Sequence, residues 1–147
     1  MTATTKKLIV IGGATATGKT ALAIRLARHF GTEILSADSR QFYREMSIGT
    51  AKPDAAELAA VHHHFIDSLS VADDFSVGDF EKEALQVLDK IFEQHDFAVM
   101  VGGSGLYIRA ICEGLDSFPD VSATTKAAVE TGIHTGGLAW LQGELGR

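Results

Sequence analysis

The chain has 147 residues, 46% of them hydrophobic and 22% charged, with a net charge of −6. The length predicts one domain that buries roughly 70% of its unfolded surface, and the acidic balance argues against non-specific nucleic-acid binding by the chain as a whole. No apolar run approaches the ~20 residues of a membrane span, residues 1–7 lack the apolar core and cleavage site of a signal peptide, and a lone Cys112 excludes an internal disulfide framework, so a reducing cytoplasm is expected.

Residues 7–11 read as a short apolar strand. Gly13, Ala14, Thr15, Ala16, Thr17, Gly18, Lys19 and Thr20 follow it and fit the phosphate-loop pattern G-x-x-x-x-G-K-[ST] without a mismatch. Glycines at 13 and 18 let the backbone wrap so that several N–H groups point at one anion. The helix read over 21–30 adds its positive N-terminal end. Lys19 supplies a point charge to the outer phosphates, and the Thr20 hydroxyl is placed for Mg²⁺. A ligand carrying a di- or triphosphate is expected.

In that first helix Leu22, Leu26 and Phe30 form one apolar stripe beside Ala23 and Ala27, and Gly31 is the expected stop. Residues 33–36 are a short strand, and the turn at its carboxyl end carries Asp38, Ser39, Arg40 and Gln41. A helix capped by Asp54 is expected over 54–61 and a third strand over 64–67. Ser76 and Asp79 form a capping signal for an amphipathic helix. Residues 97–101 are an uninterrupted apolar strand, as in a parallel sheet covered on both faces. A second glycine-rich turn around Ser104 leads into a helix over 106–113. Further on, 122–126 begins a helix, 135–137 is a turn, and 138–145 is a weak helix in which Trp140 has no assigned role.

Strands alternating with helices imply an α/β fold, a three-layer α/β/α arrangement around a parallel sheet of the P-loop NTPase-like kind, with functional groups at the carboxyl ends of the strands. The best apolar strand ends in glycines rather than an Asp, so the magnesium-holding carboxylate usual in ATPases is not evident there, and Asp38 and Asp67 are the candidates. Asp38 is read either as a loop cap or as a general base at the mouth of the phosphate loop. Gln41 or Ser39 is placed to bond a base edge or a phosphate. Ser104 is either a turn former or a hydroxyl for a ligand brought close by the glycines around it. His62, His63 and His64 alternate across a strand, so three in a row cannot share one ion. Structural or pocket-wall roles are expected for them, and a packing role for Cys112.

Five ordered segments carry a resemblance: the phosphate loop, Ser36-Ala-Asp-Ser-Arg-Gln-Phe-Tyr43, Ile48-Gly-Thr-Ala-Lys-Pro53, His63-His-Phe-Ile-Asp67 and Val101-Gly-Gly-Ser-Gly-Leu-Tyr107. Together they resemble the tRNA dimethylallyltransferase (tRNA isopentenyltransferase) family, from about residue 7 to 119. The resemblance implies transfer of a dimethylallyl group from dimethylallyl diphosphate to N6 of adenine 37 in tRNA, with Mg²⁺ as cofactor, by a cytoplasmic monomer without a membrane partner. It implies that residues 13–20 hold the diphosphate, that Asp38 is the base on N6, that Lys19 and Thr20 assist the departure of the leaving group, and that Asp38, Ser39, Arg40, Gln41, Ser104 and Lys126 touch tRNA. Ala14 stands where the family usually has Pro, and Ser104 where Thr is common. Members are longer, so residues 1–118 are expected to be an incomplete core and 119–147 the start of a helical tRNA-binding insertion, in a fragment of reduced or no activity. Rival readings are an adenylate isopentenyltransferase acting on free AMP, ADP or ATP, an ATP-dependent small-molecule kinase, and a non-catalytic phosphate-binding remnant.

Overall fold

The computed structural model describes residues 5–116 and 119–146. The start of the leader reading (residues 1–4), the expected boundary at 118 and residue 147 lie outside them. The chain divides into two compact units, Met1–Leu115 and Asp116–Arg147.

The first unit runs β1 (Lys7–Gly12), α1 (Lys19–Phe30), β2 (Ile34–Ser36), α2 (Ala55–Ala60), β3 (His63–His64), α3 (Val77–Gln94), β4 (Phe97–Gly102) and α4 (Gly105–Glu113). The four strands form one sheet in the order β1-β4-β2-β3, with every pairing parallel. Strand β4 shows why its sequence is apolar throughout. Ala98 and Met100 face the cluster formed with Phe80, Ala84, Leu88 and Ile91 of α3, flanked by Tyr107 and Ile108 of α4. Val99 and Val101 face Ala23 and Ala27 of α1 on the other side. Helices on both faces leave the sheet ends as the open sites, which is the expected three-layer α/β/α arrangement.

Local signals held where they are self-contained. Asp54 and Ser76 each make a reciprocal capping box, with Glu57 and with Asp79. Gly31 ends α1 in the left-handed conformation, its N–H bonded to Ala27 and Arg28 carbonyls. Two expectations change. The stripe of α1 that is buried centres on Ala23 and Ala27, while Leu22 is 45% exposed, because small side chains let the helix lie close on β4. The third strand is His63–His64 rather than 64–67. Phe65 and Asp67 adopt φ of 64° and 52°, and the Asp67 N–H donates to the Gln41 carbonyl. The chain turns there to bury Phe65 against Phe42 and Phe80.

The second unit holds α5 (Ala123–Leu145), capped by Ser122 and broken at Gly137, where φ is 59° and ψ is −153°. The turn expected at 135–137 is this break. Trp140 folds back over Gly132 and Gly136, where an added Cβ would meet its side chain within 2.3 and 2.5 Å. Among the described residues, no helix is long and apolar enough to cross a membrane.

Candidate functional site

The phosphate loop joins β1 to α1 at the carboxyl end of the sheet. Gly18 at φ 83° and Ala16 at φ 62° curl it, so an alanine occupies a left-handed position that usually costs about 1–2 kcal/mol. Such strain gathers at ligand-holding loops. The Lys19 ammonium and the Thr17 hydroxyl both donate to the Ala14 carbonyl, so Lys19 is folded back along the loop. Helix α1 starts at Gly18 without a side-chain cap. Its first N–H groups lack intrahelical partners. Helix α4 also lacks one, because the Ser104 hydroxyl is engaged elsewhere. By contrast α2, α3 and α5 are capped by the side chains of Asp54, Ser76 and Ser122.

A cavity of about 190 Å³ is lined by residues 15–21 of the loop and by Ser36, Asp38, Gln41, Glu57 and His63, with apolar patches from Ala51, Pro53 and Ile66. A second cavity of about 180 Å³ is lined by Asp38, Ser39, Arg40, Thr50, Gly103 and Ser104, among others. Thr15 and Asp38 line both. Asp38 is half-buried and receives the Arg40 N–H on Oδ1 at 3.1 Å. It reaches this place because β2 ends against β4: the Ala37 N–H donates to Val101 at 2.8 Å and the Ala37 carbonyl accepts from Ser104 at 3.2 Å. Gly103 passes so near that a Cβ there would lie 3.6 Å from both Asp38 Oδ2 and the Gly13 carbonyl.

Ser39 and Ser104 hold each other. The Ser104 hydroxyl accepts from the Ser39 N–H at 3.0 Å and donates to the Ser39 hydroxyl at 3.2 Å. Gln41 does not offer the free amide that the sequence suggested. It is buried, accepts from Ser36, and donates to the Thr50 and Ala51 carbonyls at 3.0 Å, so it anchors the segment that walls both cavities. Asp67 is likewise no open metal candidate: its Oδ1 takes the ammonium of Lys52, whose side chain is 8% exposed and also donates to the Tyr43 carbonyl. Asp67 lines neither cavity. Arg40 is exposed on the rim of the second cavity, and Lys126 lies on α5 in the second unit. Cys112 is exposed on α4 rather than packed.

His63 is the pocket wall expected of one histidine in the run. Its Nδ1–H donates to the Val61 carbonyl at 2.8 Å, which leaves Nε2 as an acceptor, buried and without a partner. The alternation of the strand foretold that one imidazole would turn inward, but nothing in the sequence marked Glu57 as its neighbour in the wall. Burial pushes the His63 imidazole below its ordinary 6.5, outweighing the opposite pulls of the Val61 carbonyl and Glu57. The unfolded chain then takes up a proton near pH 6.5 that the folded chain refuses, so this contribution is complete above that pH and is lost as the pH falls below it. Urea midpoints should drop between about pH 7.5 and about pH 5.5, and His63→Gln should shallow that slope. An unchanged slope in the variant would remove His63 as its source.

The family model for IPP transferase matches residues 41–147. A tRNA dimethylallyltransferase of Christiangramia forsetii is 58% identical over 138 residues, which cover 94% of this chain and 46% of that protein. A full-length tRNA isopentenylpyrophosphate transferase of Bacillus halodurans superposes with a TM-score of 0.73 at 35% identity, over 95% of this chain and 46% of that one. A eukaryotic dimethylallyltransferase acting on tRNA superposes with a TM-score of 0.75 at 26% identity, over 86% of this chain and 33% of that one. The chain thus spans about half the length of the relatives it matches.

Proposed function

The chain belongs to the IPP transferase family, and from that premise we propose that it forms the donor-holding part of a tRNA-modifying prenyltransferase. The reaction is transfer of the dimethylallyl group of dimethylallyl diphosphate to N6 of adenine 37 in tRNA, in the cytoplasm. The observation that carries the reading is the position of Asp38, shared by a cavity walled by the phosphate loop and a second one walled by Ser39, Arg40 and Ser104. The first would take the diphosphate and the second the target nucleotide.

The diphosphate lies against the uncapped start of α1, and Lys19 leaves the Ala14 carbonyl to meet it. Oxygen donors on Thr20, Ser36 and Asp38 line the same cavity, a set that suits magnesium, which the Thr20 hydroxyl would hold. When bound, that ion neutralises charge on the diphosphate oxygens. The five-carbon chain runs along Ala51, Pro53 and Ile66. The N6 lone pair is delocalised into the purine and is a poor nucleophile. As it bonds to the allylic carbon, the carbon–oxygen bond breaks, the electron pair leaves with the diphosphate, and Asp38 accepts the N6 proton. Loop N–H groups and Lys19 stabilise the charge that grows on the bridging oxygen. Extrusion of the base costs less from a tRNA loop than from a duplex. Residues 119–147, whose helix carries Lys126, are the start of the insertion that contacts tRNA.

The test combines labelled dimethylallyl diphosphate and Mg²⁺ with unmodified tRNA or AMP, using the full-length protein that contains this segment. Label in tRNA with release of intact diphosphate is expected. Label in AMP alone, or ATP consumed to ADP with phosphate transfer, would replace the reading by an adenylate isopentenyltransferase or a kinase. The chain itself should bind dimethylallyl diphosphate with Mg²⁺ in calorimetry, and Lys19→Ala should weaken that binding roughly 10- to 150-fold, the range for a charged hydrogen bond. Equal affinity in the variant would place the diphosphate elsewhere.

A further inference from the structure

Glu33, His62 and His64 lie on the face of the sheet opposite the buried side chain of His63. The register pairs Ile34 with His63 and Leu35 with His64, which sets Glu33 beside His62 at the sheet's edge. Residues 62 and 64, two apart on a strand, share one face. The alternation that forbids three histidines from meeting one ion therefore favours two of them plus a carboxylate from the neighbouring strand. One ligand atom from each of the three residues lies within 4.8 Å of the others. His64 Nε2 is 2.6 Å from Glu33 Oε2, and the His62 and His64 rings meet edge to face at 4.4 Å. The group opens into a cavity of about 350 Å³ against α3, also lined by Lys90 and His95, in which Glu33 is the only carboxylate among the described residues.

We infer that Glu33, His62 and His64 form a binding site for a borderline divalent cation, of which zinc is the type, between β2 and β3. Two imidazole nitrogens and one carboxylate oxygen are a known zinc donor set that keeps a fourth position open, and that position faces the cavity. Bonds of 2.0–2.2 Å in a tetrahedron put ligand atoms about 3.3 Å apart. The widest separation must close by at most about 1.5 Å and the Glu33–His64 contact must open by about 0.7 Å, both within side-chain rotation because His62 is exposed and Glu33 half-exposed. The Lys90 ammonium opposes the charge of the ion and lowers the affinity without blocking the donors. A bound cation ties the two-residue edge strand β3 to β2, and so fixes the strand whose other face presents His63 to the phosphate-loop cavity. The inference is independent of the proposed function.

The experiment is titration of the tag-free chain with Zn²⁺ by calorimetry and with Co²⁺ by visible absorption. One equivalent should bind, with the d–d bands of a four-coordinate cobalt site, and zinc should raise the melting temperature. His62→Ala, an exposed position that leaves the Glu33–His64 pair intact, should weaken binding roughly 10- to 100-fold or more and abolish the thermal shift. Glu33→Gln should do the same, with circular dichroism checking that each variant is folded. Cys112→Ser and His134→Gln should bind like the parent. Unchanged affinity in His62→Ala, loss of binding in Cys112→Ser or His134→Gln, or no stoichiometric binding by the parent would each overturn the site.

Discussion

Replacing Asp38 by Ala in the full-length protein is expected to lower kcat for prenyl transfer by about 10²–10⁴-fold, or roughly 3–5 kcal/mol in the barrier. Affinity for dimethylallyl diphosphate should hardly move, because the proposed function gives the diphosphate to the loop backbone and Lys19, and the acceptor to Asp38. Among the described residues the carboxylate is the one ionisable group common to the two cavities, and its backbone is pinned by the Ala37–Val101 and Ala37–Ser104 hydrogen bonds. Asp38→Asn refines the test: it keeps an oxygen for the Arg40 N–H but cannot take a proton, so it should lose rate almost as severely. Single-turnover transfer measured beside diphosphate binding separates the two effects. A variant that turns over at the parent rate would end the base assignment.

The second large effect belongs to a residue with no chemistry of its own. A Cβ on Gly102 would stand 2.2 Å from the Ala37 carbonyl oxygen, 2.4 Å from its carbon and 2.9 Å from its Cα. All three atoms are backbone, and that backbone is the hydrogen-bonded end of β2 that presents Asp38. No rotamer change relieves the overlap, so Gly102→Ala must part β4 from β2 where they converge. The expected loss is about 3 kcal/mol of stability, at the upper end for overpacking, read as a lower urea midpoint. Transfer activity in the surviving folded fraction should also fall, because Asp38 moves with Ala37. Gly105→Ala is the matched control: nothing lies within 4 Å of its added Cβ, and it begins a helix, so its stability should stay near that of the parent. Equal midpoints for Gly102→Ala and the parent would show that the strand ends are not so tightly joined.

What the sequence determined by itself was whatever depends on near neighbours in the chain. The phosphate loop, the capping boxes at Asp54 and Ser76, the stop at Gly31 and the apolar run of β4 were all legible, because a turn, a cap or a doubly covered strand is specified within a few residues. Asp38 could be named from its place after a strand, since the carboxyl ends of parallel strands are where α/β proteins put their chemistry. Tertiary structure decided the rest. It spent the amide of Gln41 on Thr50 and Ala51, and the carboxylate of Asp67 on Lys52. It buried Ala23 and Ala27 rather than Leu22, and it set Glu33 beside two histidines some thirty positions on. These outcomes follow from which segments pack side by side in the sheet. A polar side chain takes the partner that packing brings within reach, and no local pattern encodes that partner.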